Sequence, residues 1–226
     1  MKQEFKSLIT HQPSPLIDPW ALGVTFSYPP IFVLRHGETV WNREGRFQGH
    51  LDAPLTARGR AQAVRQGLIL RDTVFASYPD CAVLLSPLGR TRKTWDLAAE
   101  AAGRAGHPFR IEPRLAEVQM GDWQGRLRDE VLTEDPTTRA QPNLFEISLN
   151  TPGGESYAAL KTRLEACLGD IAGPTICVTH GITSLILRGL VRGLSREDMA
   201  GQGHDQGIVY ELADGQEYRL EGAASD

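Results

Sequence analysis

The chain has 226 residues, enough for one full α/β domain, with two small domains as the alternative. Its 41% hydrophobic and 23% charged residues are ordinary for a globular protein. The formal net charge of −4 argues against a dedicated nucleic-acid binder but leaves an anionic small molecule open, because a few arginines in a pocket outweigh remote charge.

In chain order, residues 1–30 carry Pro13, Pro15, Pro19, Pro29 and Pro30 and read as an irregular leader, in which Trp20, Leu22, Val24 and Phe26 can still pack. The leader lacks a basic start followed by an apolar core, so no secretory signal is read. No run approaches the ~18 apolar residues of a membrane span. A cytoplasmic location with no membrane partner is therefore expected. Cys81, Cys167 and Cys177 show no zinc-like spacing, and Cys81 and Cys177 sit in apolar runs. Buried thiols in a reducing compartment fit them better than a disulfide scaffold.

Ile31-Phe32-Val33-Leu34 reads as a buried strand, left through Arg35-His36 and a sharp turn at Gly37. Thr56 is a candidate N-cap for a helix to about residue 71, with Ala57, Ala61, Val64 and Leu68 at helical spacing. Ala82-Val83-Leu84-Leu85 is a short strand ending at Ser86, and a helix follows from about 87 to 102 with Pro87 in its first turn. Residues 121–152 are polar and proline-containing, with a short helix near 126–134. Ser156 caps a helix whose Tyr157, Leu160, Leu164 and Leu168 share a face. A further strand, 175–179, ends at His180-Gly181 and precedes an amphipathic helix carrying Ile182, Leu185, Ile186 and Leu190. Residues 208–212 read as a strand, and Ala213-Asp214-Gly215-Gln216 as a tight turn. Such alternation predicts an α/β fold: a three-layer αβα sandwich with a mostly parallel central sheet and helices on both faces. Residues 31–222 are expected to form a single domain, with 121–155 as a short cap or insertion.

Two strands end alike, Leu34-Arg35-His36-Gly37 and Val178-Thr179-His180-Gly181. In a parallel sheet both histidines emerge at the same edge, where open α/β sheets bind their ligands. A third strand delivers Arg90 to a helix N-terminus, where free backbone N–H groups and a guanidinium together suit an anion. Imidazole is a competent nucleophile toward phosphorus, and guanidinium matches the charge and shape of a phosphoryl group. The residues thus point to phosphoryl chemistry through His36. A turn with a solvated arginine and a backbone-bonded histidine is the bland reading, and for His180 it survives only if the two His-Gly turns lie apart.

Over residues 31–212 the chain resembles the histidine phosphatase superfamily, which includes the cofactor-dependent phosphoglycerate mutases. The resemblance rests on Arg35-His36-Gly37-Glu38-Thr39, Trp41-Asn42, Arg46-Phe47-Gln48-Gly49, Asp52, Pro54-Leu55-Thr56, Gly59, Ser86 with Arg90, Glu117, Gly121, Trp123-Gln124-Gly125, Pro152-Gly153-Gly154-Glu155-Ser156 and His180-Gly181. It implies a catalytic set of His36 as nucleophile, Arg35, Arg90 and His180 around the phosphoryl oxygens, and Glu117 as proton donor. It also implies that Asn42, Gln48, Gly49 and Arg128 contact substrate. Glu38 and Glu155 read as structural, Arg92 and Lys93 as a solvated face, and Trp41 and Trp123 as loop packing. No metal and no cofactor are required by this scheme. The chain has neither an acidic two-metal cluster nor a Walker-type glycine loop.

The same site can hydrolyse a phosphomonoester or move the phosphoryl group between hydroxyls of one molecule. The segment between Glu117 and Pro152 is short and of mixed charge and lacks the paired arginines of the mutases, although Arg128 falls where they place a lysine. Hydrolysis of a small phosphorylated metabolite is the preferred reading and mutase-type transfer the alternative. A catalytically silent phospholigand-binding module is the third, disfavoured because nucleophile, arginines and acid are all present. Dimers of such folds form through edges that leave no motif, so a homodimer stays open.

Overall fold

The computed structural model describes residues 28–222, so the leader residues Trp20, Leu22, Val24 and Phe26 lie outside the described part. The elements are β1 (Ile31–Arg35), α1 (Val40–Glu44), α2 (Ala57–Asp72), α3 (Val74–Ser77), β2 (Ala82–Leu85), α4 (Gly89–Ala101) and β3 (Arg110–Ile111). They continue with α5 (Arg128–Glu134), α6 (Pro136–Arg139), α7 (Leu144–Leu149), α8 (Tyr157–Gly169), β4 (Thr175–Thr179), α9 (Gly181–Arg192), α10 (Arg196–Ala200), β5 (Val209–Ala213) and β6 (Gln216–Leu220).

The strands form one sheet in the order β3-β2-β4-β1-β5-β6. The first four are mutually parallel and β5 and β6 are antiparallel, giving the mixed but mostly parallel sheet expected of the βα alternation. The antiparallel end follows from the tight turn at Asp214 and Gly215, both at positive φ (52° and 72°), which suits a two-residue hairpin.

Side chains alternate across the buried strands and divide the core in two. Ile31, Val33, Leu84 and Cys177 pack with Leu160 and Leu164 of α8 and Leu185 and Ile186 of α9. Phe32, Leu34, Val83, Leu85, Ile176 and Val178 pack on the other face with Ile69, Leu70, Phe75 and Trp95 from α2, α3 and α4. The three layers of the expected sandwich are therefore present. All three cysteines are free and buried; burial raises the Cys81 and Cys167 thiols to about 11.

Thr56 caps α2 as expected, its hydroxyl accepting from the Gly59 N–H at 2.9 Å. The buried face of α2 differs from the spacing argument, however. Val64 and Leu68 are exposed, and the helix buries Gly59, Ala63, Gln66, Gly67, Ile69 and Leu70 instead. Close approach decides this: α2 lies so near α4 that a Cβ on Gly67 would sit 2.1 Å from the Ala98 carbonyl oxygen. The turn at Gly37 also has a different cause. Its φ is not positive, and a Cβ there would lie 2.1 Å from the Gly59 carbonyl oxygen, so the glycine is required by backbone packing.

Among the described residues no helix is long and apolar enough to cross a membrane. Gly67→Ala tests the helix contact through its sign. In an exposed helix interior the change would stabilise by about 1 kcal/mol. Here urea unfolding is expected to show a loss of about 1–3 kcal/mol from overpacking, and a gain would contradict the close approach.

Candidate active site

β1 and β4 pair in parallel with Arg35 opposite Thr179, so His36 and His180 leave adjacent strands at the same height. The ladder continues one residue further, the His36 N–H donating to the Thr179 carbonyl at 3.1 Å. The two imidazoles end 5.2 Å apart between ring centroids, tilted by 60°, and both are buried. β2 flanks β4 on its other side and ends at Ser86, whose Oγ lies 2.6 Å from His180 Nε2. Three strand ends thus converge on one place.

His36 Nδ1 lies 2.8 Å from the Gly37 carbonyl oxygen, an acceptor, so this nitrogen carries the proton and Nε2 keeps its lone pair. Arg90 Nε sits 3.2 Å from both His36 Nε2 and His180 Nδ1 and shares its single hydrogen between them. The rest of that guanidinium is strapped down. Nη1 donates to the Leu51 carbonyl at 2.8 Å and to Asp52 Oδ1 at 2.9 Å, and Nη2 donates to the Gly49 carbonyl at 2.8 Å. Asp52 also takes the Gly89 and Arg90 N–H groups at 2.6 and 3.3 Å. The helix N-terminus expected to offer free amides to an anion is therefore already capped by a carboxylate.

Burial, with Arg90 and Arg35 close by, holds His36 well below the usual histidine range despite its bond to the Gly37 carbonyl. His180 is held well below it by burial and then by Arg90, His36 and Arg35. Both rings are neutral near pH 7. Burial lowers Arg35 and Arg90 as well, with Glu117 opposing it in each case, but guanidinium stays charged.

Arg35 Nη1 donates to the His204 carbonyl at 2.8 Å, while its buried Nε has no partner. Its guanidinium lies against the first turn of α9 at Gly181, where Cζ would stand 3.5 Å from a Cβ, an ordinary contact distance. Glu117 is buried in the same wall. Its carboxylate accepts from the Val118 N–H, from the Ile182 and Thr183 N–H groups at the start of α9, and from the Thr183 hydroxyl, all at 3.0–3.3 Å.

These groups open on one cleft of about 170 Å³. Arg35, His36, Arg90, Glu117, Asn42, Gln48, Gly49 and Arg128 all line it; His180 backs it through Arg90. Asn42 is fixed by a reciprocal cap with Thr39 at the start of α1. Gly49 turns at a φ of 53° and holds Arg90 by its carbonyl. Arg128 Nε donates to the Gly45 carbonyl at 3.1 Å. Glu38 accepts from the Thr56 hydroxyl and Glu155 pairs with Arg163, both structural contacts. Trp123 packs on Phe47, and Arg92 and Lys93 are exposed.

The sequence reading missed Met120, Leu144, Ser148 and His204 in the cleft wall. Leu144 and Ser148 share a face of α7, and a four-residue spacing after Asn143, which caps that helix, was the available signal. For His204 no local signal exists, because its carbonyl rather than its ring meets Arg35. Among the described residues no three His, Cys, Asp or Glu side chains gather as a metal ion would require.

The arrangement offers the unprotonated Nε2 of His36, the Arg35 and Arg90 cations and the Glu117 carboxyl group around a shared space. Two outcomes follow from the lowered imidazoles. Long-range ¹H–¹⁵N spectra at pH 6.0 should show His36 neutral with its proton on Nδ1; an imidazolium at that pH would contradict the geometry. The unfolded chain takes up protons below about pH 6.5 while these folded rings do not, so stability falls as pH drops through that value. A flat denaturation midpoint between pH 7 and 5 would oppose this.

Known proteins resemble this chain in sequence and fold. Residues 31–221 match the histidine phosphatase superfamily (branch 1). The "Probable phosphoglycerate mutase GpmB" of Salmonella paratyphi C is 34% identical over 169 residues, covering 73% of this chain and 75% of that protein. The alpha-ribazole phosphatase of Shigella flexneri superposes with a TM-score of 0.70 at 25% identity, covering 87% of this chain and 100% of that one. YhfR of Bacillus stearothermophilus gives 0.70 at 26% identity, covering 87% and 98%. With the match spanning nearly all of the described sheet and both His-Gly strand ends, this chain belongs to the histidine phosphatase superfamily, an enzyme family of phosphatases and mutases.

Proposed function

We propose that the protein hydrolyses phosphomonoesters of small metabolites through a phosphohistidine formed on Nε2 of His36. The observation that carries this reading is the Nδ1 contact of His36 with the Gly37 carbonyl, which leaves Nε2 unprotonated with its lone pair toward Arg90.

In the first step Nε2 attacks phosphorus, the N–P bond forms and the ester P–O bond breaks. Glu117, acting as general acid, gives a proton to the leaving alkoxide. In the second, Glu117 takes a proton from water as that water attacks phosphorus, the N–P bond breaks and inorganic phosphate leaves. Arg35 and Arg90 hold the equatorial charge throughout. Arg90 cannot swing away, because carbonyls and Asp52 fix it, so little reorganisation accompanies transfer. Gln48 Oε1, buried and without a partner, is an acceptor left for a donor on the bound molecule. His36, the arginines and Glu117 supply the nucleophile, the charge and the proton themselves.

Hydrolysis is favoured over mutase-type transfer by what covers the cleft. Residues 128–149 fold as the short helices α5–α7, and Arg126 pairs with Glu134 at 2.6 Å outside the cleft lining. Of the basic residues in that segment, Arg128 alone joins the cleft wall among the described residues. The mutase alternative draws on Arg128 and on the GpmB relatives, and the phosphatase reading on the alpha-ribazole phosphatase neighbour.

With p-nitrophenyl phosphate in excess EDTA, turnover is expected to persist and to fall by about 10³-fold or more in His36→Ala. Retained turnover in that variant would remove His36 as nucleophile. Incubation with 3-phosphoglycerate and catalytic 2,3-bisphosphoglycerate should release phosphate; rapid interconversion with little release would establish the mutase instead.

A further inference from the structure

Arg188 is fully buried on α9, about two turns beyond Gly181, and no step above uses it. Its Nε and Nη2 donate to the two carboxylate oxygens of Glu217 on β6 at 3.0 and 2.9 Å. The same guanidinium lies 3.6 Å from the ring centroid of Tyr210 on β5, and its Nη1 donates to the Gly203 carbonyl at 2.8 Å. The Tyr210 hydroxyl accepts from the Asp205 N–H at 2.9 Å. Residues 203 and 205 are thus each held from beneath, one by a cation and one by a phenol resting on that cation.

The residue between them is His204, whose carbonyl accepts from Arg35 Nη1. A little further on, Gln206 donates through Nε2 to the His36 carbonyl at 3.0 Å and to Asn42 Oδ1 at 3.3 Å. The sheet makes room for this loop. β5 pairs with β1 only as far as Val33–Tyr210, and beyond that point buried Gln66 bridges the Arg35 and Ile208 carbonyls at 3.0 Å each. Arg35 carries an unpartnered Nε, so the direction of its guanidinium depends on where the His204 carbonyl stands.

We propose that Arg188 and Tyr210 are positioning residues for Arg35. They fix residues 203–205 so that the His204 carbonyl aims the Arg35 guanidinium at the phosphoryl oxygens. The chemistry of the clamp fits this role, since a bidentate arginine–carboxylate pair is planar and directional, and Glu217 neutralises the charge that burial would otherwise penalise. The proposal rests on the functional reading above, in which Arg35 holds the transferring group.

Arg188→Met would leave Glu217 without its main partner and can fail to fold, so Tyr210→Phe is the informative variant; it removes one oxygen and keeps the ring under Arg188. Tyr210→Phe, Arg35→Lys and the double variant form a cycle, read by kcat/KM on p-nitrophenyl phosphate and by calorimetric affinity for inorganic phosphate. Circular dichroism checks that each variant is folded at the assay temperature. Tyr210→Phe is expected to lower both quantities roughly tenfold when Arg35 is present and by less than about twofold in the Arg35→Lys background. No change with Arg35 present, or equal losses in both backgrounds, would overturn the proposal, the second because Tyr210 would then act elsewhere. Failure of His36-dependent turnover would strike the functional reading alone, since the phosphate-affinity cycle still judges the clamp.

Discussion

Because β1 and β4 run parallel with Arg35 beside Thr179, whatever follows each strand leaves the sheet at one height. His36 and His180 follow, and the site exists because they do. A one-residue slip of either strand would turn its side chains to the opposite face and send one imidazole into the other helical layer. Register here is strongly specified, since both faces of these strands are buried: Phe32 and Leu34 in one half of the core, Ile31 and Val33 in the other. Packing of the core and placement of the nucleophile are therefore one constraint. Two glycines complete it, because the backbone leaving β1 passes against Gly59 and only a residue without a Cβ fits at Gly37.

Electrostatics are set in advance on this frame. Two guanidiniums stand beside two imidazoles, and burial, reinforced by that proximity, keeps the rings neutral. The cations are restrained differently. Nη1 of Arg90 is committed to Leu51 and Asp52 and one hydrogen of Nη2 to Gly49, with Nε turned to the histidines, whereas Arg35 hangs on the His204 carbonyl. Glu117 is held at both ends. The start of α9 and the Thr183 hydroxyl bond its carboxylate, while its carbonyl accepts from His50 Nε2 at 2.9 Å and Arg163 Nη2 at 3.2 Å. Helix α9 thus follows directly from His180, orients Glu117 through its first amides and carries Arg188 further along. One element links the acid, the second imidazole and the loop above Arg35.

Much of this was legible in the residues, and the remainder was hidden for physical reasons. The apolar runs of β1, β2 and β4, the Thr56 and Ser156 caps and the paired His-Gly endings each carry a local signal, and each stands where it was read. The two-residue β3 has too little sequence to show a period. Short α1 and α7 were missed because a helix of five or six residues shows hardly one repeat, although Thr39 and Asn143 cap them. The face of α2 was misjudged because Val64 and Leu68 satisfy helical spacing, yet Gly67 and Ala63 let the backbone approach α4 and so decide which side is buried. The roles of His204, Gln206 and Arg188 pass through backbone carbonyls, and no choice of side chain announces them.

The account depends most directly on which nitrogen of His36 receives the phosphoryl group. The protein should be mixed with substrate, quenched in alkali and digested, and the phosphopeptide examined by mass spectrometry and ³¹P NMR. Because Nδ1 is committed to the Gly37 carbonyl, the label should sit on Nε2 of His36. Label on Nδ1, on His180 or on any other residue would contradict the account.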